Sequence, residues 1–401
     1  SWLIHTKHNV FCQIGSKSVD KLTIGGRDCI RLMVSEFNPS YYSVMNHEIE
    51  LKLRLNTSEL PLLERALASH QFINEPTLKL LNRYFDTPDM GLSQGGAALR
   101  IRQQGIIDAQ GDLHDERIIQ TLKTRGTSSA GLHQRMEWDW PLTEVELDLD
   151  LLQTQDTQTH LSSELELSRI APLFTTDFQR QVWMFQQEDT LIELVLDQGK
   201  VSTREHNVDL LELELELKQG EPEVLFQLAQ QLADQCPLLM SDISKAERGY
   251  GLLALSPEYQ QIKKDWSGKV PSFDPQQDVI SCFKTFFAYQ LSCCQRALEY
   301  SIWDGQPVLH QTAKLQLTLL QQLLSIFTQI DCLPEVQLLQ RQIGHAIQSK
   351  YEVSLLWGQL SIECGRWLFN LEGDGAKFEM TVEEQNSMRL HVEQLLQGMN
   401  Q

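Results

Sequence analysis

The sequence lacks several features that would assign it to a familiar class of protein. No apolar run approaches the roughly 20 residues that a membrane-spanning helix needs, so we expect no membrane partner. Basic residues are scarce, since 34 Lys and Arg stand against 54 Asp and Glu, for a formal net charge of -20. Because general nucleic-acid binding relies on basic surface that neutralises phosphates, this balance argues against a nucleic-acid partner.

The eight cysteines lack the spacing of metal ligands. None forms a CxxC pair with histidines at zinc spacing, which argues against a structural zinc site. Because the thiols are scattered and no secretory leader is seen, we expect a cytoplasmic protein. The sequence also contains neither the phosphate-binding GxxxxGKS/T loop nor the GxSxG elbow of serine hydrolases.

Length and composition predict a folded protein of more than one domain. Apolar residues make up 41% and charged residues 22% of the 401 positions, which is ordinary for a globular protein. Residues 1–44 show no periodicity and are interpreted as a non-native or disordered N-terminal extension, the alternative being an extra strand or arm. Met45 opens a regular pattern. We therefore predict domains at 45–255 and 273–401, joined by a polar linker at 256–272.

Residues 45–255 show the alternation of β-strands whose two faces differ sharply. The first strand, EIELKLRL, places its charged residues on one face and its leucines and isoleucine on the other. Carboxylates concentrate on the first and last strands, whereas arginines and lysines concentrate on the middle ones. The charged faces carry Glu48, Glu50, Lys52, Arg54, Arg100, Arg102, Lys123, Arg135, Glu137, Arg180, Glu193, Asp197, Glu212, Glu214 and Glu216.

This distribution of charge favours a site for a metal and a polyanion. Three glutamates on one face of the last strand repel one another unless a cation lies among them. Hard oxygen ligands suit Mg²⁺ or Mn²⁺, and clustered Arg and Lys suit phosphate oxygens. A closed eight-stranded barrel could bring the charged faces around one lumen, with helices at about 58–70 and 223–235 covering part of its apolar outside. The alternative is that each strand has one face in the core and one in water.

The C-terminal third is predicted to be helical. The segments DVISCFKTFFAYQLSCCQRALEY and HQTAKLQLTLLQQLLSIFTQI repeat apolar residues every three or four positions. No face that combines carboxylates and cations is found beyond Tyr250. We therefore expect the chemistry to lie between Glu48 and Tyr250.

Nine blocks of sequence, in order, resemble the CYTH domain of the triphosphate tunnel metalloenzymes. The first is the ExExK signature in HEIELKLRL, and the others are YFDTPDMGL, LRIR, TLKT, GLHQRMEWD, FQRQVW, IELVLDQG, ELELELKQG and SKAERGYGLL. Within that family the chain is most similar to bacterial inorganic triphosphatases in which a CHAD domain follows. The resemblance implies an α+β fold, in which an eight-stranded antiparallel closed β-barrel with flanking helices precedes an all-α domain.

The same resemblance implies roles for the charged residues in hydrolysing inorganic triphosphate to pyrophosphate and phosphate. The Mg²⁺ or Mn²⁺ ligands would be Glu48, Glu50, Glu214 and Glu216. The residues that bind substrate would be Lys52, Arg100, Arg102, Lys123, Arg135 and Arg180, with Lys245 and Arg248 at the tunnel mouth. Catalysis would depend on the first six of these together with Glu48 and Glu50. Additional groups that bind metal or orient water would be Glu137, Glu193, Asp197 and Glu212.

The C-terminal part resembles a CHAD domain that is degenerate and truncated. His310 matches the family's histidine, but the arginine positions that follow in LHQTAKLQLTLLQQLLSIF are Thr, Ala, Leu and Gln. CHAD domains are basic helical bundles that bind polyphosphate. Because this region is net acidic, we expect no strong polyphosphate binding here, and instead a helical scaffold or a contact in a homo-oligomer.

Two other functions remain open at this point. The same barrel could act as a hydrolase or cyclase on an organic triphosphate, either ATP or thiamine triphosphate. That substrate needs an aromatic platform at the tunnel mouth, whereas the charged faces offer a single aromatic residue, Tyr84. A non-catalytic polyphosphate-binding module would instead have lost its metal ligands, yet every carboxylate position is filled.

Overall fold

The computed structural model describes residues 20–24, 27–31, 44–124, 126–129, 132–254, 271, 279–303, 308–328, 334–348 and 355–373, together with 383, 386 and 390. The chain divides into two compact units, Ser1–Tyr42 and Ser43–Gln401. In the first unit, β1 (Asp20–Ile24) and β2 (Arg27–Arg31) form an antiparallel pair. Two short strands therefore lie within the predicted N-terminal extension.

Strands of the second unit form one antiparallel sheet, which contains ten strands among the described residues. They are β3 (Val44–Arg54), β4 (Phe72–Asp86), β5 (Ala97–Ile107), β6 (Leu113–Thr124), β7 (Thr127–Ser129), β8 (Leu132–Leu142), β9 (Ala171–Gln187), β10 (Thr190–Ser202), β11 (Asn207–Gln219) and β12 (Leu239–Met240). Their order in the sheet is β12-β3-β11-β10-β9-β4-β5-β6-β8-β7, and β3 additionally pairs with β8. Strand β3 thus has β11 as one hydrogen-bonded neighbour and β8 as another.

Helices α1 to α9 accompany this sheet in the described part of the second unit. They are α1 (Leu60–Ala68), α2 (Gly91–Gln94), α3 (Gln155–Gln158), α4 (Glu223–Ala233), α5 (Lys245–Leu253), α6 (Val279–Trp303), α7 (Val308–Thr328), α8 (Pro334–Gln348) and α9 (Leu355–Gly373). Helix α5 begins after Ser244, whose hydroxyl accepts a hydrogen bond from the backbone N–H of Glu247 at 3.1 Å. None of these helices combines the length and apolar character that crossing a membrane would require.

The apolar face of the sheet packs against helices α1 and α4, as the sequence predicts. Leu51 and Leu53 of β3 are fully buried in one cluster with Leu63 of α1 and Phe226 of α4. Each such leucine stabilises the fold by about 1.5–3 kcal/mol through removal of apolar surface from water. Because side chains alternate along a strand, the charged residues of β3 must project from the opposite face.

The predicted C-terminal helical region is confirmed and packs directly on the sheet. Helices α6 to α9 share a core that includes Phe283, Phe287 and Trp367. Ile362 of α9 belongs to the same cluster as the apolar face of β3. The backbones also come close, since a Cβ built on Gly358 would lie 2.1 Å from the carbonyl oxygen of Leu238. Apart from Pro271, the predicted linker at 256–272 lies outside the described residues.

Candidate active site

Charged side chains of β3, β9, β10, β11 and α5 meet in one buried network centred on Glu214. One carboxylate oxygen of Glu214 lies 2.6 Å from Nζ of Lys52 and 3.1 Å from Nζ of Lys245. Its other oxygen accepts a hydrogen bond from Nη2 of Arg180 at 3.0 Å. Burial alone would raise the pKa of Glu214, but the charges of these three cations hold it well below its usual range. Glu214 is therefore ionised and shared among three cations.

Asp197 and Glu212 extend this network on the neighbouring strands. Asp197 is fully buried and accepts two hydrogen bonds of 2.7 Å from Nε and Nη2 of Arg180. Its second oxygen also lies 2.7 Å from Nζ of Lys245, which in turn contacts Glu212. Burial raises the pKa of Glu212 to about 7, with repulsion from Glu214 adding to this effect and Lys245 opposing it.

The register of the strands explains why these residues meet. Asp197 of β10 lies opposite Arg180 of β9 on one side and opposite Glu212 of β11 on the other. Glu212 in turn lies opposite Arg54 of β3. Paired residues project from the same face of a sheet, so this row of four charges runs across four strands. The network thus arises from period-two patterns in four strands and the register that aligns them.

A second row places carboxylates of β3 and β11 directly opposite each other. Glu216 is the register partner of Glu50. Each carboxylate also contacts a lysine of its own strand, at 2.9 Å between Glu50 and Lys52 and 2.7 Å between Glu216 and Lys218. Like charges at directly opposed positions destabilise a sheet unless cations lie between them. This row is therefore suited to binding a cation.

Cations on β5 and β6 surround Glu137 of β8. Nη2 of Arg100 lies 3.4 Å from one oxygen of Glu137, and Nζ of Lys123 lies 2.8 Å from the other. Lys123 and Glu137 are register partners, so this contact also follows from strand pairing. Thr121 on the same face donates a hydrogen bond of 2.6 Å to Asp139.

Arg102 differs from its neighbours because it has no ion-pair partner among the described side chains. Its Nε donates a hydrogen bond of 2.9 Å to the amide oxygen of Asn82, whose Nδ2 donates at 2.8 Å to Thr176. Burial, followed by the positive charges of Arg100 and Arg180, lowers the pKa of Arg102 to about 10. Arg102 is therefore a cation that lies beside two other arginines without an ion-pair partner among the described side chains, and an anion could bind to it.

Tyr84, the aromatic residue predicted on a charged face, is covered by its neighbours. It is 4% exposed and stacks on Phe174, with 4.7 Å between ring centroids. Burial alone would raise its pKa, but the charges of Arg100, Lys245 and Arg102 lower the pKa below its ordinary value. Because Tyr84 is buried and its ring is stacked on Phe174, it provides no open platform for a nucleobase.

The structure brings together most of the predicted site residues whose side chains it describes. Glu193 lies near the more exposed end of the face, with one oxygen 3.1 Å from Nζ of Lys218. Lys245 lies within the network, with 7% of its surface exposed. The side chains of Glu48 and Arg135 lie outside the described residues, although their backbones are register partners in β3 and β8. Among the described residues, the carboxylates close enough to share a metal ion are Asp197, Glu212 and Glu214, of which the predicted ligand set contains Glu214.

Glu299 of the C-terminal helical region joins this network, although the predicted site residues all lie between Glu48 and Tyr250. It lies on α6, and one of its oxygens is 3.0 Å from Nη1 of Arg54 and 2.8 Å from Nη2 of Arg248. Sequence analysis could not find it, because a single glutamate within an apolar helix gives no pattern. In the structure it is buried together with its neighbours Leu298 and Ser301.

Comparison with known proteins gives a consistent assignment for the sheet region. Residues 46–250 match the CYTH domain. An inorganic triphosphatase of Haemophilus influenzae is 34% identical over 234 residues, which cover 58% of this chain and 60% of that protein. The chain thus spans about 60% of the length of this curated relative.

Solved structures similar to this chain share less of its sequence. A protein of Pyrococcus horikoshii OT3 is 18% identical with a TM-score of 0.35, covering 52% of this chain and 99% of that one. A Hippeastrum protein, described as a candidate adenylyl cyclase with a dominant triphosphatase activity, is 23% identical with a TM-score of 0.37. That alignment covers 53% of this chain and 98% of the Hippeastrum chain.

Proposed function

This chain belongs to the CYTH domain family, and on that basis we propose that it hydrolyses inorganic triphosphate with the help of a divalent metal. The observation that carries the proposal is Arg102, which lies beside Arg100 and Arg180, bonds the neutral amide of Asn82 and has no ion-pair partner among the described side chains. A compact polyanion would supply the missing negative charge. The 34% identical relative named as an inorganic triphosphatase supports the same substrate.

We propose that eight strands close into a tunnel around this charge. Strand β3 pairs with β11 and also with β8, which supports a closed order β3-β11-β10-β9-β4-β5-β6-β8. The leucine faces of β3 and β11 pack against α1 and α4, so the charged faces would line the interior. An interior of about eight strands holds one small ligand, in keeping with triphosphate.

Cations from five strands would hold the phosphate oxygens. We assign this role to Lys52, Arg100, Arg102, Lys123, Arg135 and Arg180, with Lys245 and Arg248 extending the set from α5. Carboxylates fix these cations before substrate arrives, since Glu137 contacts Arg100 and Lys123 and Asp197 contacts Arg180 and Lys245. Preorganised charges of this kind stabilise the negative charge of a transferring phosphoryl group without reorganisation during the reaction.

The carboxylates of β3 and β11 fit a hard divalent cation. Glu216 and Glu50 are opposed in register, and Glu214 lies two residues from Glu216 on the same face. We propose Glu48, Glu50, Glu214 and Glu216 as the residues that would hold Mg²⁺ or Mn²⁺. When bound there, the metal would offset phosphate charge and lower the pKa of a coordinated water. A carboxylate of this set would orient the attacking water, and no covalent nucleophile on the protein is needed.

Two observations favour inorganic triphosphate over the other candidate functions. The only aromatic residue predicted on a charged face, Tyr84, is stacked on Phe174 and covered, so it offers no surface for a nucleobase or a thiamine ring. A non-catalytic polyphosphate-binding module would not need the opposed carboxylates Glu50 and Glu216.

We propose that the C-terminal helices are a CHAD-like scaffold rather than a polyphosphate-binding module. His310 is the residue that matches the family's histidine. Its Nδ1 lies 2.6 Å from the hydroxyl oxygen of Ser301. This contact joins α7 to α6 and is a structural use of the histidine. The net acidic character of the region further argues against binding a polyanion.

The test is phosphate release from triphosphate, pyrophosphate, ATP and thiamine triphosphate at matched free Mg²⁺ or Mn²⁺. Free metal must be matched because ATP itself chelates Mg²⁺. We expect the highest kcat/KM for triphosphate and no release in excess chelator. Equal or greater efficiency with ATP would instead favour an organic substrate, and inactivity towards every triphosphate would overturn the proposal.

A further inference from the structure

Glu299 connects the C-terminal helical region to the charged network of the sheet. It is 1% exposed, and its carboxylate accepts hydrogen bonds from Nη2 of Arg248 at 2.8 Å and Nη1 of Arg54 at 3.0 Å. The hydroxyl of Ser241 lies 3.0 and 2.9 Å from its two oxygens. One carboxylate of α6 therefore holds two guanidinium groups that belong to β3 and α5.

These guanidinium groups lead directly to the centre of the site. Nη2 of Arg248 also lies 3.4 Å from Glu212, and Arg54 is the register partner of Glu212. Glu212 in turn contacts Lys245, whose Nζ lies 3.1 Å from Glu214. The path from Glu299 to Glu214 is thus a continuous series of buried ion pairs.

Holding the two regions together does not require a charge at this position. Arg366 of α9 contacts Glu223 of α4, and Arg296 of α6 contacts Glu247 of α5, so other ion pairs cross the same boundary. Both of those glutamates are about a third exposed, whereas Glu299 is buried. A buried ion pair often contributes little net stability compared with well-packed apolar residues, so stability alone does not account for a buried charge at this position.

We propose that Glu299 is a positioning residue of the active site, which holds Arg248 and Arg54 in place beside Glu212. This inference rests on the proposed function, because it concerns the same site. It implies that the C-terminal helical region contributes to turnover as well as to stability. Glu299 does not touch the substrate and acts through Arg248.

The experiment compares Glu299→Gln with Glu223→Gln in the full-length protein. Both changes remove one carboxylate from an ion pair between the same two regions, and only Glu299 joins the charged network. We expect Glu299→Gln to lower kcat/KM for triphosphate about tenfold or more, the size typical of losing a partner that orients a site ligand. We expect Glu223→Gln to remain within about twofold of the wild-type protein, as surface changes usually do.

A double variant tests whether Glu299 acts through Arg248. If it does, Glu299→Gln combined with Arg248→Gln should be no less active than Arg248→Gln alone, because coupled residues are not additive. Losses that multiply, or wild-type kinetics in Glu299→Gln, would overturn the inference. Melting curves serve as the folding check, and Glu299→Asp, which keeps the charge, replaces Glu299→Gln if that variant does not fold. Because the aspartate side chain is one methylene shorter and moves the carboxylate away from Arg248 and Arg54, wild-type kinetics in Glu299→Asp would likewise overturn it.

Failure of the proposed function gives a different result. In that case the wild-type protein itself releases no phosphate from triphosphate. The role of Glu299 is then tested by calorimetric titration of triphosphate without metal, in which Glu299→Gln should bind less tightly than Glu223→Gln. Equal affinity of the two variants would overturn the inference.

Discussion

Replacing Arg102 with glutamine should make the protein more stable and less active. The pKa of Arg102 falls to about 10, from an ordinary value of 12.5, because of burial and the charges of Arg100 and Arg180. A tenfold change in proton affinity is worth 1.36 kcal/mol, so the folded state disfavours this cation by about 3 kcal/mol. A pKa that is depressed for a base means that the charged form destabilises the folded state at neutral pH.

Part of the stability that Arg102→Gln gains by removing this charge is offset by lost interactions. The hydrogen bond from Arg102 to Asn82 contributes about 1 kcal/mol, and the arginine stem loses some packing. We therefore expect Arg102→Gln to raise the free energy of unfolding by about 1 kcal/mol, measured by urea denaturation at pH 7 in chelator. Its kcat/KM for triphosphate should fall about 10²–10³-fold, as for removal of one preorganised donor to a developing charge.

A matched control is Arg117→Gln on the adjacent strand β6. Arg117 is exposed, so its change should alter stability by less than about 0.5 kcal/mol and leave kinetics unchanged. Addition of triphosphate in chelator should stabilise the wild-type protein more than Arg102→Gln, since binding to the folded state raises apparent stability. If Arg102→Gln were destabilised and retained wild-type kinetics, the argument from the unpaired cation at Arg102 would be refuted.

Three further predictions concern the metal, the substrate and the packing of α9. Glu216→Gln should keep its melting temperature within a few degrees and lose most of its activity, because a proposed metal ligand is removed. Undiminished turnover by the wild-type protein in excess chelator would contradict the dependence on metal. At matched free Mg²⁺, kcat/KM for triphosphate should exceed that for ATP because Tyr84 is covered; a value for ATP that equals it would refute this specificity. Gly358→Ala should lower the free energy of unfolding by about 1–3 kcal/mol through a clash with Leu238, in contrast to Gly251→Ala, where nothing lies within 4 Å of the added Cβ. Equal stability of these two variants by thermal melting would contradict the close approach of α9.

Local pattern determined which side chains share a face of the sheet. In EIELKLRL, alternation alone predicts that Glu50 and Lys52 lie together and that Leu51 and Leu53 point the other way, and the structure has both leucines fully buried in the outer core. The same local reasoning predicted the helices that cover this core and the helices of the C-terminal region. These features are predictable because side-chain direction along a strand or helix depends on neighbouring residues only.

The register of the strands, and which strands pair with each other, could not be predicted from local pattern. Glu214 meets Lys245 from 31 positions away and Lys52 from 162 positions away. These contacts depend on which strands pair and on their alignment, and a shift of one residue would turn every charge to the other face. The sequence therefore indicated that a cation site and an anion site lie on these strands, but it did not predict that Lys245 lies inside the network.

The burial and the ion-pair partners of Glu299 are features that only the tertiary structure decides. By itself, the sequence determines the elements and the chemical character of each face, including an acidic row on β11 and basic residues on the middle strands. Glu299 lies 245 positions from Arg54 along the chain, in a helix whose other residues are mostly uncharged. Whether such a carboxylate is solvated or buried depends on what packs against the helix. The fold brings Arg54 and Arg248 to it, because a buried charge persists only where other elements supply its partners.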